Sequence, residues 1–123
     1  MEGNDMDKIK RGDIVFVQNY YKEPHGSIIC GNRPAVVIQN DIGNEHSSTL
    51  IVAYLTSQIK RLDLPSHVVL QWYPGLTRDS MIAAEQIATI SKEDVTAIFD
   101  HLREEDMVRM DKAVKSALGL EAA

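Results

Sequence analysis

The chain has 123 residues, of which 44% are hydrophobic and 25% are charged, and its net charge is −5. This length and composition are typical of one globular domain with a single core. No stretch approaches the roughly 20 consecutive apolar residues of a transmembrane helix, and the one cysteine, Cys30, cannot form an internal disulfide. We therefore predict a single domain over residues 1–123, a flexible polar leader at residues 1–7, and a cytoplasmic location without membrane contact.

The acidic charge is concentrated in the last third of the chain. Residues 1–78 carry eight Lys and Arg against eight Asp and Glu, whereas residues 79–123 carry five against ten. A neutral surface with a few placed cations can hold a short single strand of nucleic acid. It cannot hold long duplex DNA by charge alone.

The first two thirds of the chain predict a series of β-strands. Apolar runs rich in β-branched residues alternate with turn residues, which predicts strands over Gly12–Asn19, Pro34–Gln39, Thr49–Thr56, Ser66–Trp72 and Asp79–Gln86. The segment Ile87–Ser91 is interpreted as a further short strand or an irregular edge. Thr49–Thr56 is apolar almost throughout, which is typical of a central strand. The connection Asn40–Ser48 is predicted to be turns.

The last third changes to a helical period. Ser91 stands three residues before Asp94, which is a helix-start signature. Beyond Glu104, apolar side chains recur at spacings of three and four, at Met107, Met110, Val114, Ala117 and Leu118. They predict a helix of about four turns that ends at Gly119. The predicted architecture is mainly β, a small bent antiparallel sheet or barrel with a C-terminal helix packed on it.

Several chemistries lack the residues they need. The sequence contains no glycine-rich phosphate loop and no G-x-S-x-G nucleophile motif. Its histidines are scattered and have no H-x-x-x-H spacing; they are His25, His46, His67 and His101. We therefore predict neither a metal site nor a cofactor.

Two polar side chains at strand ends are the candidates for catalysis. Arg33 enters the second strand and carries a planar cationic fork that suits phosphate oxygens. Thr56 leaves the central strand, and its hydroxyl can donate to a phosphate oxygen. Pro34 restricts Arg33 to an extended backbone, so the guanidinium is expected to be held at the rim of the sheet. The alternative is that Arg33 pairs with Asp41 or Glu85 and that Thr56 is an ordinary strand residue.

Five ordered segments resemble the MazF/PemK family of toxin endoribonucleases. They run from about Lys8 to Leu120 and read IKRGDIVFV, G-x-x-x-x-G-x-RPAVVIQND-I-G-N, IVAYLTSQ, LPSHV and RDSMIAAEQIATI. The resemblance implies a small SH3-like antiparallel barrel of the CcdB/PemK kind with a C-terminal helix, a homodimer, and a MazE-like antitoxin. It also implies metal-independent, sequence-specific cleavage of single-stranded mRNA. In that reaction the ribose 2′-hydroxyl attacks, leaving a 2′,3′-cyclic phosphate and a 5′-hydroxyl.

The same resemblance assigns the catalytic roles to Arg33 and Thr56. Many members of the family have a glutamate where this chain has Ile28, so one candidate general base is absent here. His25 is a candidate replacement, because imidazole titrates near neutrality; the alternative is a solvated loop histidine.

Side chains near the strand ends are candidates for binding the RNA bases. Trp72 and Tyr73 lie at a predicted turn where their rings could stack on unstacked bases; packing in the core or a dimer interface is the alternative for Trp72. Polar side chains that could read base edges are Asn40, Ser57, Gln58 and Gln86. Two other functional classes stay open. One is a gyrase-binding toxin of the CcdB kind, and the other is a degenerate member that only binds RNA or an antitoxin.

Overall fold

The computed structural model describes residues 8–18, 26–29 and 31–120. Its six strands form one antiparallel sheet in the order β4-β5-β3-β2-β1-β6. The strands are β1 (Asp13–Val17), β2 (Arg33–Val37), β3 (Thr49–Thr56), β4 (His67–Leu70), β5 (Ser80–Ser91) and β6 (Val95–His101). The helices are α1 (Asp41–His46) and α2 (Glu104–Leu118). This architecture confirms the predicted fold class, with β4 and β6 as the edges of the described sheet.

The neighbouring strands β1, β2 and β3 are largely buried on both faces of the sheet. Their alternate residues belong to two hydrophobic clusters. The first cluster includes Ile14, Val36 and Leu55, together with Met110 and Ala113 of α2. The second includes Val15, Val37 and Val52, together with Ile90 and Val95. Burial on both faces explains why these segments read as continuous apolar runs rather than as alternating ones.

The helix α2 begins and ends as predicted. Gly119 caps its C-terminus with a φ of 71°, a left-handed conformation that glycine adopts without a steric cost. Its Met110 and Ala113 are buried against the sheet. In the described part of the chain, neither helix is long and apolar enough to cross a membrane.

Three local predictions were wrong. The signature at Ser91 caps only a 3₁₀ turn, Lys92–Asp94, where the Ser91 hydroxyl accepts from Glu93 N at 3.2 Å, and the chain then continues as strand β6. The segment Ile87–Ser91 is not separate, because it completes the twelve-residue strand β5. The connection after β2 contains the helix α1 instead of turns alone.

The register of the strands places three strand ends together. Arg33 at the start of β2 pairs with Val17 at the end of β1. Thr56 at the end of β3 pairs with Met81 near the start of β5. Since neighbouring antiparallel strands run in opposite directions, the start of β2, the end of β3 and the start of β5 share one end of the sheet. The helix α1 follows β2 at the opposite end.

Candidate active site

Arg33 and Thr56 lie on the border between two clefts at this end of the sheet. The first cleft has a volume of about 430 Å³, and its other lining residues include Phe16, Arg78 and Phe99. The second cleft has a volume of about 580 Å³ and extends along the loops that follow β3 and precede β2. Ser57 also lines both clefts. The two residues predicted to be catalytic are therefore brought together, and each is half-buried.

Arg33 is placed by the extended backbone of β2. One of its guanidinium nitrogens lies 3.5 Å from the carbonyl oxygen of Leu55, on the neighbouring strand. Asp41 and Glu85, the carboxylates considered as alternative partners of Arg33, make their shortest hydrogen bonds with other groups. Asp41 accepts from Arg11 N at 2.7 Å at the opposite end of the sheet, and Glu85 accepts from Ser66 and His67.

The hydroxyl of Thr56 is oriented by the turn that follows β3. Its Oγ1 accepts a hydrogen bond from Gln58 N at 3.1 Å. Accepting this bond uses a lone pair of the oxygen and not its hydrogen. The hydroxyl can therefore still donate to an anionic oxygen that enters either cleft.

A histidine–glutamate pair lines the second cleft, and sequence reasoning did not find it. His67 Nε2 lies 2.8 Å from Glu85 Oε2, while His67 Nδ1 lies 3.0 Å from Lys60 O and 3.1 Å from Arg61 O. Carbonyl oxygens only accept hydrogen bonds, so Nδ1 must carry a proton. With a carboxylate at the other nitrogen, the doubly protonated imidazolium is favoured.

The ionisation of this pair follows from its contacts. The side chain of His67 is only 4% exposed, and burial alone would lower its pKa. The bonds to Glu85 and to the Lys60 carbonyl outweigh burial, so the pKa of His67 is raised. Burial would likewise raise the pKa of Glu85, but the bonds from His67 and Ser66 lower it overall. The second cleft therefore contains a carboxylate that stays ionised near neutral pH.

We expect this pair to contribute a pH-dependent part of the stability. Glu85 stabilises the fold at a pH above its ordinary pKa of 4.5, and this stabilisation is lost as the pH falls through its lowered pKa in the folded state. His67 stabilises the fold at a pH below its ordinary pKa of 6.5, and this stabilisation is lost as the pH rises through its raised pKa in the folded state. The difference in unfolding free energy between the parent and Glu85→Gln should therefore be largest at about pH 5.5. Urea titrations from acid to alkaline pH measure it, and a difference that does not change with pH would contradict the ion pair.

The predicted base-reading residues divide into two groups. Ser57 and Gln58 are exposed and line the second cleft. Gln86 also lines it, but both ends of its side chain hold the loop before β2. Its Oε1 accepts from Ile29 N and its Nε2 donates to Ser27 O, each at 3.1 Å. Gln86 therefore positions this loop, on which Ile28 is 61% exposed.

Two of the predicted RNA-binding residues, Asn40 and Tyr73, are not available to RNA at this site. Asn40 lies at the opposite end of the sheet, where its side-chain oxygen accepts from Gly43 N at 2.8 Å and caps α1. Tyr73 is only 5% exposed. Burial and the bond from its hydroxyl to Asp106 Oδ2, at 2.7 Å, raise the pKa of Tyr73 to about 12. The stacking predicted for Tyr73 is therefore wrong, because its ring packs in the core.

Two other predictions have different outcomes. Trp72 is 83% exposed, so packing in the core of its own chain is not its role. His25 lies outside the described residues, and its proposed part in catalysis stays a prediction. Among residues 8–18, 26–29 and 31–120, no three His, Cys, Asp or Glu side chains are grouped so that they could hold a metal ion.

Comparison with known proteins gives the family. Residues 10–118 match the model of the PemK-like, MazF-like toxins of type II toxin-antitoxin systems. The chain belongs to this toxin family. It is 44% identical over 113 residues to the endoribonuclease EndoA of Bacillus subtilis, covering 91% of this chain and 96% of that protein. The family resemblance found in the sequence is thereby confirmed, and the enzyme class it implied is the one named for this relative.

Solved structures of the family share the fold. An endoribonuclease from a mycobacterial species, in complex with its cognate antitoxin, is similar with a TM-score of 0.74 and 21% identity, over 94% of this chain and 99% of that one. MazF of Deinococcus radiodurans is similar with a TM-score of 0.75 and 18% identity, over 90% and 96% of the two chains. At these identities the likeness concerns the fold alone.

Proposed function

We propose that this toxin is a sequence-specific endoribonuclease that cleaves single-stranded mRNA at a phosphate held by Arg33 and Thr56. The observation that carries the proposal is the position of these two side chains. They stand on neighbouring strands, at one end of the sheet, where two clefts meet. A strand of RNA that occupies both clefts has to cross the border that these two side chains line.

The proposed reaction is an intramolecular transesterification of the RNA. The 2′-oxygen beside the scissile phosphate forms a bond to phosphorus, and the bond from phosphorus to the 5′-oxygen breaks. The 2′-hydroxyl loses its proton to a base, and the 5′-oxygen gains one, so that a cyclic phosphate and a 5′-hydroxyl remain. Arg33 stabilises the negative charge that builds on the phosphate oxygens, and Thr56 donates its hydroxyl hydrogen to one of them.

The Glu85 carboxylate is better suited to a hydrogen bond with a nucleobase than to accepting the proton of the 2′-hydroxyl. Its lowered pKa makes its carboxylate a weak base at neutral pH. A carboxylate can, however, accept a hydrogen bond from the amino group of a nucleobase. We therefore propose that Glu85, together with Ser57 and Gln58, contributes to sequence preference in the second cleft.

The inhibitor that fits this site is the acidic tail of a MazE-like antitoxin. Arg33, Lys60 and Arg61 all line the second cleft. Arg61 also makes two bonds to Asp63, at 3.1 and 3.0 Å, and an acidic peptide that enters the cleft meets all three cations. Retention of both Arg33 and Thr56 disfavours a gyrase-binding toxin of the CcdB kind, which needs no nuclease site.

The proposed activity has a direct test. Purified protein incubated with a long RNA in EDTA should cut it, because the proposed mechanism uses only side chains and the RNA's own hydroxyl. Mapping the 5′ ends gives the cleavage sequence. These ends should accept phosphate from a polynucleotide kinase without prior dephosphorylation, since they are hydroxyls. Loss of cleavage in the chelator would contradict the mechanism, and absence of cleavage in any buffer would favour a degenerate, binding-only member.

We also propose that the protein is a homodimer in the cytoplasm. The family resemblance implies the dimer, and the described surface has exposed apolar side chains that an interface between copies could cover; they include Ile28, Ile51, Leu62, Val108 and Leu118. Light scattering at micromolar concentration should give twice the mass of one chain. A mass equal to that of one chain would reject the dimer.

A further inference from the structure

We propose that Trp72 is a stacking platform for a base of the RNA substrate, at a nucleotide outside the cleft where the phosphate is cut. This inference rests on the proposed nuclease function and adds a second binding point to it. It concerns the turn between β4 and β5, which we call the Trp72 turn and define as residues 71–79.

The backbone of Trp72 is unusual for a large residue. Its φ is +66°, in the left-handed region that side chains with a Cβ rarely adopt. The indole nevertheless remains 83% exposed to solvent. Burial of the ring therefore does not compensate for the unfavourable conformation. A strained residue held in place by its surroundings is characteristic of a binding position.

The conformation is imposed by the start of α2. The guanidinium of Arg103 donates to Trp72 O at 3.1 Å and to Gln71 O. The same group lies 4.0 Å from the centre of the Tyr73 ring. The Tyr73 hydroxyl accepts from Arg103 N at 2.8 Å and donates to Asp106 at 2.7 Å. These contacts hold the main chain of the turn and leave the indole face open.

The Trp72 turn connects directly to the catalytic cleft. A pocket of about 410 Å³ beside Trp72 is also lined by Leu76, Thr77 and Arg78. The same three residues line the first cleft, with Arg33 and Thr56. A single strand that leaves the scissile phosphate through the first cleft therefore crosses residues 76–78 and arrives at the indole.

One cation of the turn is placed to bind RNA. Arg78 lines both this pocket and the first cleft, whereas Arg103 and Arg109 behind the turn are paired with Asp106, and Asp79 and Asp100 add negative charge there. Both faces of an exposed indole can stack on any base, and a nearby arginine can bind the adjoining phosphate. An apolar peptide segment could also enter this pocket. Continuity with the cleft that holds the scissile phosphate favours the nucleic acid.

The experiment uses the fact that Trp72 is the one tryptophan of the chain, so that indole fluorescence reports on this position alone. The probe is a 2′-O-methyl oligoribonucleotide of about 12 nucleotides, which contains the mapped cleavage sequence and cannot be cut. We expect the probe to quench the fluorescence to saturation. In a labelled-probe assay, Trp72→Gly should weaken binding by about tenfold, and Trp72→Phe should retain most of the affinity.

The glycine variant separates binding from folding. Glycine adopts a φ of +66° without steric cost, so Trp72→Gly should be at least as resistant to urea as the parent. Ile42→Ala is the matched control, since Ile42 is 75% exposed but lies on α1 at the opposite end of the sheet; its affinity should be unchanged. Marked loss of urea resistance in Trp72→Gly would identify Trp72 as a structural residue and overturn the proposal.

The other outcomes distinguish this inference from the proposed function. Unchanged probe affinity in Trp72→Gly, while the parent still cuts long RNA, would reject the stacking platform and leave the nuclease standing. Failure of the parent to cut RNA would reject the function itself. A fluorescence change on dilution of the protein or on addition of an acidic peptide, without any change on addition of the probe, would assign Trp72 to a protein interface instead.

Discussion

Replacing Arg33 by alanine is expected to lower the rate of RNA cleavage by about 10²-fold or more, by analogy with the removal of one preorganised donor from an oxyanion site. The fold should survive, because Arg33 is half-buried at a strand end and the two hydrophobic clusters contain no part of it. Single-turnover cleavage at saturating enzyme measures the rate. Circular dichroism and urea unfolding test the fold.

Two further variants separate charge from geometry. Arg33→Lys keeps the positive charge but loses the planar fork, so it should restore only a small part of the rate. Thr56→Val removes the hydroxyl and keeps the shape of the side chain, and its rate should fall between that of Arg33→Ala and that of the parent. If Arg33→Ala unfolded the protein, the role of this arginine would be structural, and the family membership would describe the fold without the activity.

A substrate with a single 2′-deoxyribose immediately 5′ of the cut is expected to bind normally and not to be cut. The change removes the attacking oxygen and leaves the phosphate, the bases and the remaining hydroxyls in place. In the proposed mechanism Arg33 and Thr56 act on the phosphate, so they cannot replace the missing nucleophile. Denaturing gels of the cleavage reaction and a competition assay for binding measure the two expectations.

The matched control moves the same deoxyribose two nucleotides away from the cut. This substrate should be cut at close to the parent rate, since the nucleophile is present and only one distant hydroxyl is lost. Normal cleavage of the first substrate would rule out attack by the 2′-hydroxyl. Loss of cleavage in both would indicate that the ribose hydroxyls are needed for binding.

The elements with a strong local pattern were predictable from the sequence. The continuous apolar run of β3 and the spacing of apolar residues in α2 each identify one element type over its whole length. The strand β6 was missed because the capping signature at Ser91 is satisfied by one 3₁₀ turn. The helix α1 was missed because tertiary contacts hold it. Its Asn44 is buried, donates to Gln39 O and accepts from Lys92 Nζ through its own carbonyl oxygen.

The site was only partly predictable, since a sequence does not give strand register. Arg33 and Thr56 could be selected because both are polar residues at strand ends and both match the family. The pairing of His67 with Glu85 joins residues 18 positions apart on neighbouring strands, and no spacing rule indicates it. Tyr73 was misplaced because its partner, Asp106, is 33 residues away on α2. The polar residues around Tyr73 in the sequence suggested an exposed ring, whereas in the fold its hydroxyl donates to the buried carboxylate of Asp106.

The shared border of the two clefts has a consequence for how the toxin can be neutralised. Arg33, Thr56 and Ser57 line both clefts, so a molecule that fills either cleft also reaches the border where we propose that the phosphate is held. An antitoxin would then need to fill only one of the two clefts to inhibit the enzyme. Antitoxin truncations that still fill one cleft should lose affinity before they lose the ability to inhibit. For the same reason, a small inhibitor that fits the first cleft and a differently shaped one that fits the second should exclude each other from the enzyme.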